Sequence, residues 1–274
     1  MRDVSRQKVL ITGATGGLGQ QVATELARLG AAVVIHGRDP ERAAATRDKV
    51  AAEAPDGTRI DTAVADLASI ADVRRLAAEV ADRHSDLTIL VNNAGVGFGV
   101  PGEGRQVSRD GIELRFAVNY LASHLLAREL LPTLTRNAPA RIVNVASIGQ
   151  ASFVDDPLVE RDYDGVRAYR QSKLAMIADT FALAAETAGT GVTVNALHPA
   201  TLMPTGMVVE AGWNTMDSVD TGTRSTLRLI VDPELDGVTG HYFDKLERAE
   251  PQPEARDPRA QAALAELTAR LLAR

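Results

Sequence analysis

A strand, a glycine-rich turn and a helix follow one another between residues 8 and 30, and this unit constrains the fold more than any other part of the chain. Residues 9–11 form a short apolar run typical of a fully buried strand. Apolar residues then recur at helical spacing from Leu18 onward. The turn between them carries three glycines: Gly13, Gly17 and Gly19. A helix that begins there offers unpaired N–H groups and the positive end of its dipole, so the unit predicts a site for a diphosphate.

Strand-like and helical segments alternate along the rest of the chain. A long helix is predicted over roughly 110–131, ended by Pro132, and an amphipathic helix over 255–274. The alternation implies a parallel sheet covered by helices on both faces. After the first strand, the predicted strands cover residues 32–35, 60–64, 87–91, 142–145, 192–197 and 238–243.

Glycine, proline and polar residues collect where these predicted strands end. In a parallel sheet those ends meet at one edge, and the ligand crevice of such sheets lies there. The residues concerned are Gly13, Arg38, Asp66, Asn93, Ser147 and Pro199.

The segment after the second strand bears on the choice of a dinucleotide coenzyme. Asp39 stands at the right distance from the glycines to bind a ribose 2′-hydroxyl, but Asp39 before Pro40 is also an N-cap signature. Arg38 could pair with a 2′-phosphate, or it could be a solvated loop arginine. We predict NADP(H) as the preferred coenzyme, with NAD(H) as the alternative.

Tyr169 and Lys173 lie four positions apart, on one face of a predicted helix. A free phenol has a pKa of about 10, which is too high for ready proton exchange near neutrality, and a nearby ammonium would lower it. Ser147 could hold a carbonyl oxygen beside Tyr169. The same spacing also fits an amphipathic helix with a surface lysine.

Taken together, these features resemble the short-chain dehydrogenase/reductase family over almost the whole chain, and the segment HGRDPER and the HPA loop resemble its retinol-dehydrogenase-like branch. The resemblance implies a single Rossmann-type doubly wound domain over 1–274, with a seven-stranded parallel sheet in the order 3-2-1-4-5-6-7. It also implies an NADP(H)-dependent oxidoreductase that interconverts a ketone or aldehyde and an alcohol by hydride transfer. The motifs that carry it are Thr12-Gly13-x-x-x-Gly17-x-Gly19, Asp66-Leu67, Asn92-Asn93-Ala94-Gly95, Asn119, Ser147 and Tyr169-x-x-x-Lys173.

The resemblance also implies roles for individual residues. Tyr169 would be the general acid or base, and Lys173 would bind the nicotinamide ribose and lower the tyrosine pKa. Ser147 would polarise the substrate carbonyl, and Asn119 would hold a water that links Lys173 to solvent. Tyr163 has no lysine four positions later, so we reject it as the catalytic tyrosine. The implied coenzyme-binding set is Gly13, Thr15, Gly17, Leu18, Gly19, Arg38, Asp66, Leu67, Asn93, Ala94, Gly95, Tyr169, Lys173, Pro199 and Thr201.

Three segments depart from the plainest family pattern. Pro199-Ala200 replaces a Pro-Gly pair, and Pro204 stands where a threonine is common, so the nicotinamide contacts there are open. The gap between the serine and the tyrosine is long, and we predict that acidic residues 151–165 form an active-site insertion. Residues 200–216 are predicted to form a substrate lid, whose Trp213 either lines an apolar pocket or simply packs.

Composition excludes several other functions. The net charge of −6 argues against a nucleic-acid partner, and the absence of cysteine excludes disulfides, Cys-bound zinc and thiol catalysis. The acidic insertion fits a solvated turn better than a metal site, and we predict no metal. No apolar stretch is long enough to span a bilayer, so we expect a cytoplasmic protein. The family implies a homodimer or homotetramer.

A second functional hypothesis is a catalytically silent NADPH-binding regulator of the same fold. Such a protein usually loses a catalytic residue, and all four are retained here, so the enzyme hypothesis is favoured. An extended-branch epimerase or dehydratase would need a larger C-terminal substrate domain than this chain has.

Overall fold

One eight-stranded sheet runs through the structure, a computed structural model that describes residues 4–100 and 102–273. The predicted domain limits, residues 1 and 274, lie outside the described residues, and so does position 101. In chain order the strands are β1 (Lys8–Ile11), β2 (Ala32–Gly37), β3 (Ile60–Val64), β4 (Ile89–Asn92), β5 (Ala140–Val145), β6 (Val192–His198), β7 (Tyr242–Asp244) and β8 (Glu247–Ala249).

The order across the sheet is β3-β2-β1-β4-β5-β6-β7-β8. Neighbouring strands are parallel from β3 to β7, and only the β7–β8 pair is antiparallel. The predicted doubly wound α/β fold and its strand order are confirmed, and β8 adds a short eighth strand. Its exposed residues and its length of three gave no periodic signal in the sequence.

Helices connect the strands and cover both faces of the sheet. They are α1 (Gly17–Arg28), α2 (Pro40–Ala51), α3 (Ile70–Arg83), α4 (Ala122–Arg136), α5 (Gly165–Glu186), α6 (Gly206–Glu210), α7 (Val219–Val231) and α8 (Pro258–Leu272). A π-helical turn, Phe116–Leu121, runs directly into α4. Along β1, Val9 and Ile11 pack with α1 and α7, whereas Leu10 packs with α3 and α4. The alternation buries both faces and leaves the carboxyl edge of the sheet free for a site.

Two predicted boundaries were wrong. Helix α4 does not end at Pro132 but continues to Arg136. A proline inside a helix costs about 3 kcal/mol, and the packing of Leu130 and Leu134, which are fully buried on either side, offsets that cost. The seventh strand begins at Tyr242 rather than 238, because Gly240 has a φ of +70° and breaks the extended run.

Candidate active site

The glycine turn between β1 and α1 leaves no room for side chains. Gly13 has a φ of +64°, and a Cβ built on it would lie 2.8 Å from the Cα of Ala94. Gly17 has a φ of +54°, and its Cβ would lie 3.2 Å from the methyl group of Thr205. Helix α1 begins at Gly17 with a glycine N-cap, so no side chain covers its first N–H groups. A close-packed turn at an uncapped helix start fits the diphosphate of a dinucleotide.

The loop after β4 is bonded to this turn. The Asn93 amide donates to the carbonyl oxygens of Thr12 (2.8 Å) and Gly13 (3.2 Å). The Thr12 hydroxyl in turn accepts from the backbone N–H groups of Asn93 and Ala94, both at 3.0 Å. The predicted coenzyme residues Asn93, Ala94 and Gly95 are therefore held directly beside the glycine turn.

A buried histidine, which sequence reasoning did not single out, supports the turn from below. The Nδ1 of His36 accepts the Gly13 N–H at 3.2 Å, and its Nε2 lies 3.2 Å from the carbonyl oxygen of Ala65. Burial lowers the pKa of His36 to about 4. The ring is therefore neutral, with Nδ1 as acceptor and Nε2–H as donor. A histidine at a strand end, next to a glycine, was the available sequence signal.

Two arginines follow β2, Arg38 directly after the strand and Arg42 on the first turn of α2. Arg38 is exposed, and the carboxylate of Asp39 caps α2 by accepting the Arg42 N–H at 2.9 Å. Asp39 therefore takes the N-cap role that the sequence indicated. The Arg42 guanidinium, which the sequence reasoning missed, reaches the carbonyl oxygen of Thr15 at 3.4 Å. One cation, that of Arg42, thus stands at the glycine turn, and Arg38 follows β2 directly.

Asp66 and Leu67 follow β3 at the same edge. The Asp66 carboxylate accepts the Ala68 N–H at 3.0 Å and lies 3.3 Å from the Arg109 guanidinium. Leu67 is largely buried and packs with the core on the α3 side. One polar and one apolar group of the implied coenzyme-binding set therefore lie together at this edge.

Helix α5 and the end of β5 bring together three of the four predicted catalytic residues. Tyr169 is 7% exposed and lies beside Ser147. Burial raises the pKa of the phenol, and the nearby Ser147 hydroxyl opposes that shift. The Lys173 ammonium donates to the Val145 carbonyl oxygen at 2.8 Å, 5.7 Å from the centre of the tyrosine ring. Burial lowers the pKa of Lys173 to about 8. We expected Lys173 to lower the pKa of the Tyr169 phenol. In this structure the pKa is raised, because burial of the phenol has the largest effect and the Lys173 ammonium is bonded to a backbone carbonyl.

Asn119, the fourth predicted catalytic residue, lies in the π-helical turn. Its amide oxygen accepts the Val96 N–H at 2.7 Å, and its amide nitrogen donates to the Val96 carbonyl (3.1 Å) and to the Ser172 hydroxyl (3.0 Å). The side chain therefore joins the loop after β4 to α5. Its role in holding a water stays a prediction.

Ser147 is itself held from the far side of the sheet. Its carbonyl oxygen accepts from the Tyr242 hydroxyl at 3.0 Å and from the Gln150 amide at 3.2 Å. The Gln150 amide oxygen accepts the Gln252 N–H at 2.8 Å. The segment 251–258 therefore supports the site through Gln150. Sequence reasoning missed Tyr242 because an aromatic residue in an apolar strand is typical of core.

The ring of the candidate catalytic tyrosine belongs to a cluster of three aromatic rings. Phe98, from the loop after β4, contacts the Tyr169 ring edge-on with centroids 4.5 Å apart. Its other side stacks on Trp213 at 4.2 Å and an interplanar angle of 22°. Trp213 thus packs against Phe98, and its role in lining a substrate pocket stays a prediction. Met216 is 72% exposed.

The acidic insertion 151–165 is anchored by a buried ion pair. The Tyr163 hydroxyl donates to the Glu113 carboxylate at 3.0 Å and accepts from the Arg115 guanidinium at 2.7 Å. Arg115 also donates to the Gly97 carbonyl at 2.8 Å. Burial raises the pKa of Tyr163 to about 12, so this tyrosine is a structural donor, in line with its rejection above. Asp164 caps α5 by accepting the backbone N–H of residue 166.

The loop after β6 holds the last two predicted coenzyme residues, Pro199 and Thr201. The Thr201 hydroxyl lies 3.0 Å from the Nε2 of His198. Burial lowers the pKa of His198 to about 4, so this ring is neutral and serves as a structural hydrogen-bond partner. Within residues 4–100 and 102–273 no group of side chains could hold a metal ion, and no helix is long and apolar enough to cross a membrane.

Comparison with known proteins agrees with this geometry. The profile of the short chain dehydrogenase family matches residues 7–214. Retinol dehydrogenase 13 from Homo sapiens is 35% identical over 268 residues, which cover 91% of this chain and 79% of that protein. The Pseudomonas aeruginosa RhlG/NADP active-site complex superposes with a TM-score of 0.72 at 27% identity, covering 89% of this chain and 97% of that one. The 3-ketoacyl-(acyl-carrier-protein) reductase from Brucella melitensis, complexed with NADH, gives 0.69 at 25% identity, with 87% and 96% covered.

Proposed function

The chain belongs to the short chain dehydrogenase family and is a NAD(P)-dependent oxidoreductase, and from this premise we propose that it interconverts a ketone or aldehyde and an alcohol with NADP(H) as preferred coenzyme. The observation that carries the proposal is the placement of Tyr169, beside Ser147, at the sheet edge where the glycine turn begins α1. The turn and the loop after β4 fit a dinucleotide, which would supply or accept the hydride.

The chain's own residues supply orientation and a proton. Ser147 would donate a hydrogen bond to the carbonyl oxygen of the substrate and hold it at the phenol of Tyr169, which gives its proton during reduction and takes one during oxidation. A phenol is already protonated near neutral pH, and burial raises its pKa further, so the free chain holds the proton that reduction needs. The Lys173 ammonium donates a hydrogen bond to the Val145 carbonyl. To bind a ribose hydroxyl it must either break that bond or use another of its N–H groups.

The preference for NADP(H) rests on Arg38 and Arg42. A 2′-phosphate carries negative charge and accepts bidentate bonds, which a guanidinium matches best. Arg38 is exposed at the end of β2, and Arg42 lies on the first turn of α2, within reach of the glycine turn. The carboxylate of Asp39 is occupied in capping α2, so it is less available to a ribose 2′-hydroxyl.

A panel of carbonyl and alcohol substrates, assayed with NADPH, NADH and their oxidised forms, tests the proposal. We expect turnover to be faster with the phosphorylated coenzyme. We also expect Tyr169→Phe to lose nearly all turnover while it keeps its affinity for the coenzyme. Unchanged turnover in Tyr169→Phe would remove the phenol from the mechanism. Tight NADPH binding with no turnover on any substrate would favour the regulator hypothesis instead.

Self-association and location are further proposals. A homodimer or homotetramer follows from the family resemblance alone, and light scattering of the purified protein tests it. A cytoplasmic location follows from the composition, and fractionation of cells that express the full chain tests it. A monomer, or recovery with the membrane fraction, would contradict these proposals.

A further inference from the structure

The two ends of the lid, residues 200–216, meet where 201–202 pair with 216–217, and we call these four residues the neck. The backbone N–H of Met216 donates to the Leu202 carbonyl at 3.1 Å, and that of Asp217 donates to the Thr201 carbonyl at 3.0 Å. The two ends of the lid are therefore paired like neighbouring strands. Any shift of one end displaces the other.

One carboxylate closes this neck and joins it to a distant part of the chain. The Oδ2 of Asp217 accepts the Thr201 N–H at 2.7 Å and lies 2.7 Å from the ammonium of Lys245. Both interactions lower the pKa of Asp217, so the carboxylate is charged near neutrality. Because Lys245 sits in the turn between β7 and β8, the contact joins the lid to the edge of the sheet.

The backbone on both sides of the contact adopts an uncommon conformation. Leu202 has a φ of +46° and Lys245 a φ of +54°, in a region that favours glycine. The Lys245 N–H donates to the His198 carbonyl at 2.8 Å, which fixes this turn beside the start of the lid. Glycine at 245 would relieve the backbone but could not provide the ammonium.

The far end of the lid lies over the candidate catalytic tyrosine. Trp213 stacks on Phe98, and Phe98 contacts the ring of Tyr169. Thr201, at the near end, is a predicted coenzyme residue. The neck is thus the one described place where a contact could set both the coenzyme loop and the aromatic rings.

We propose that Asp217 is a positioning residue, which holds the Thr201 backbone at the coenzyme and, through the lid, Trp213 over Phe98 and Tyr169. Lys245 is its partner and fixes the carboxylate against the β7–β8 turn. Neither residue touches the reacting atoms, so both act through the lid. The inference rests on the proposed function for the identity of the ligands, but the position of the lid can be measured without turnover.

The chain offers a direct probe, since Trp213 is its single tryptophan. Asp217→Asn removes the charge and keeps an acceptor for Thr201, and Lys245→Met removes only the ammonium. We expect both variants to unstack Trp213, shift its emission to longer wavelength and raise acrylamide quenching. Coenzyme Kd and substrate KM should rise about twofold to fivefold, the range for loss of one partly exposed ion pair, with a smaller change in kcat. Lys245→Arg should restore the original values.

Asp220→Asn is the matched control. Asp220 lies on the first turn of α7 and pairs with Arg224 at 3.2 Å, but both side chains are exposed and away from the neck. The proposal is overturned if Asp217→Asn or Lys245→Met leaves quenching, Kd and KM unchanged, or if Asp220→Asn changes them equally. Should Asp217→Asn fail to fold, the comparison of Lys245→Met with Lys245→Arg tests the proposal instead. If the wild-type chain shows no turnover with any substrate, the proposed function fails while Trp213 quenching still tests the neck.

Discussion

Acidification should destabilise this protein in part through the histidine beneath the glycine turn. His36 is buried, and burial lowers its pKa from 6.5 to about 4. Between those values the unfolded chain binds a proton that the folded chain excludes. The free energy of unfolding therefore falls as the pH drops below 6.5, and the whole contribution is lost below about 4.

The magnitude follows from the same two pKa values. One pKa unit corresponds to about 1.4 kcal/mol. Integrated from pH 7 to pH 5, the excluded proton on His36 lowers the free energy of unfolding by about 2 kcal/mol. The protonated ring would also present an N–H to the Gly13 N–H, which now donates to Nδ1, so the turn itself would be displaced. Coenzyme affinity should fall over the same interval.

Urea unfolding of the wild-type chain and of His36→Gln at pH 7 and pH 5 measures this effect. Glutamine keeps a donor and an acceptor but does not titrate, so the variant should be less stable at pH 7 and should lose about 2 kcal/mol less than wild type on acidification. His198→Gln is the comparison, because His198 has a similarly lowered pKa but lies at the loop after β6 rather than under the turn. Parallel losses in wild type and His36→Gln would refute the assignment of the neutral ring.

Three further predictions concern the crevice. Arg38→Glu should raise the Kd for NADPH at least tenfold relative to NADH, since it exchanges attraction for repulsion at a 2′-phosphate; an unchanged ratio in coenzyme titrations would make Arg38 a bystander. Tyr242→Phe removes one of the two donors to the Ser147 carbonyl. It should cost about 1 kcal/mol of stability in thermal unfolding and lower kcat. An unchanged kcat would show that the Tyr242 hydroxyl does not contribute to catalysis. Phe98→Ala should admit bulkier substrates and raise KM for small ones, as the ring between Trp213 and Tyr169 is lost; an unaltered substrate range would contradict this.

Local patterns were sufficient to predict the sheet and the edge that carries the site. The apolar run 9–11, the glycines after it and the repeated alternation of strand and helix each reflect a local rule, so they could be seen in one sequence. The spacing of Tyr169 and Lys173 likewise places both on one side of α5, and the structure brings Ser147 to the phenol. These features depend on neighbours within a few residues.

Contacts between distant segments could not be predicted in the same way. The bond from Tyr242 to Ser147 joins residues 95 positions apart, and the bond from Tyr163 to Glu113 joins residues 50 apart. Pro132 shows the converse, a strong local signal that tertiary packing overrides. The shift of the phenol pKa was misjudged for the same reason, since burial of Tyr169 depends on Phe98 and on the lid that closes over it.

The short strand β8 has a consequence for how copies of this chain can meet. Its Glu247 and Arg248 are exposed and charged, and the strand ends after three residues. An edge of this kind resists recruitment of a further strand, because a newcomer would have to desolvate both charges for few ladder bonds. Growth of the sheet from one molecule into the next is therefore disfavoured at the β8 edge, so contacts between copies on this side would be built through helices or loops.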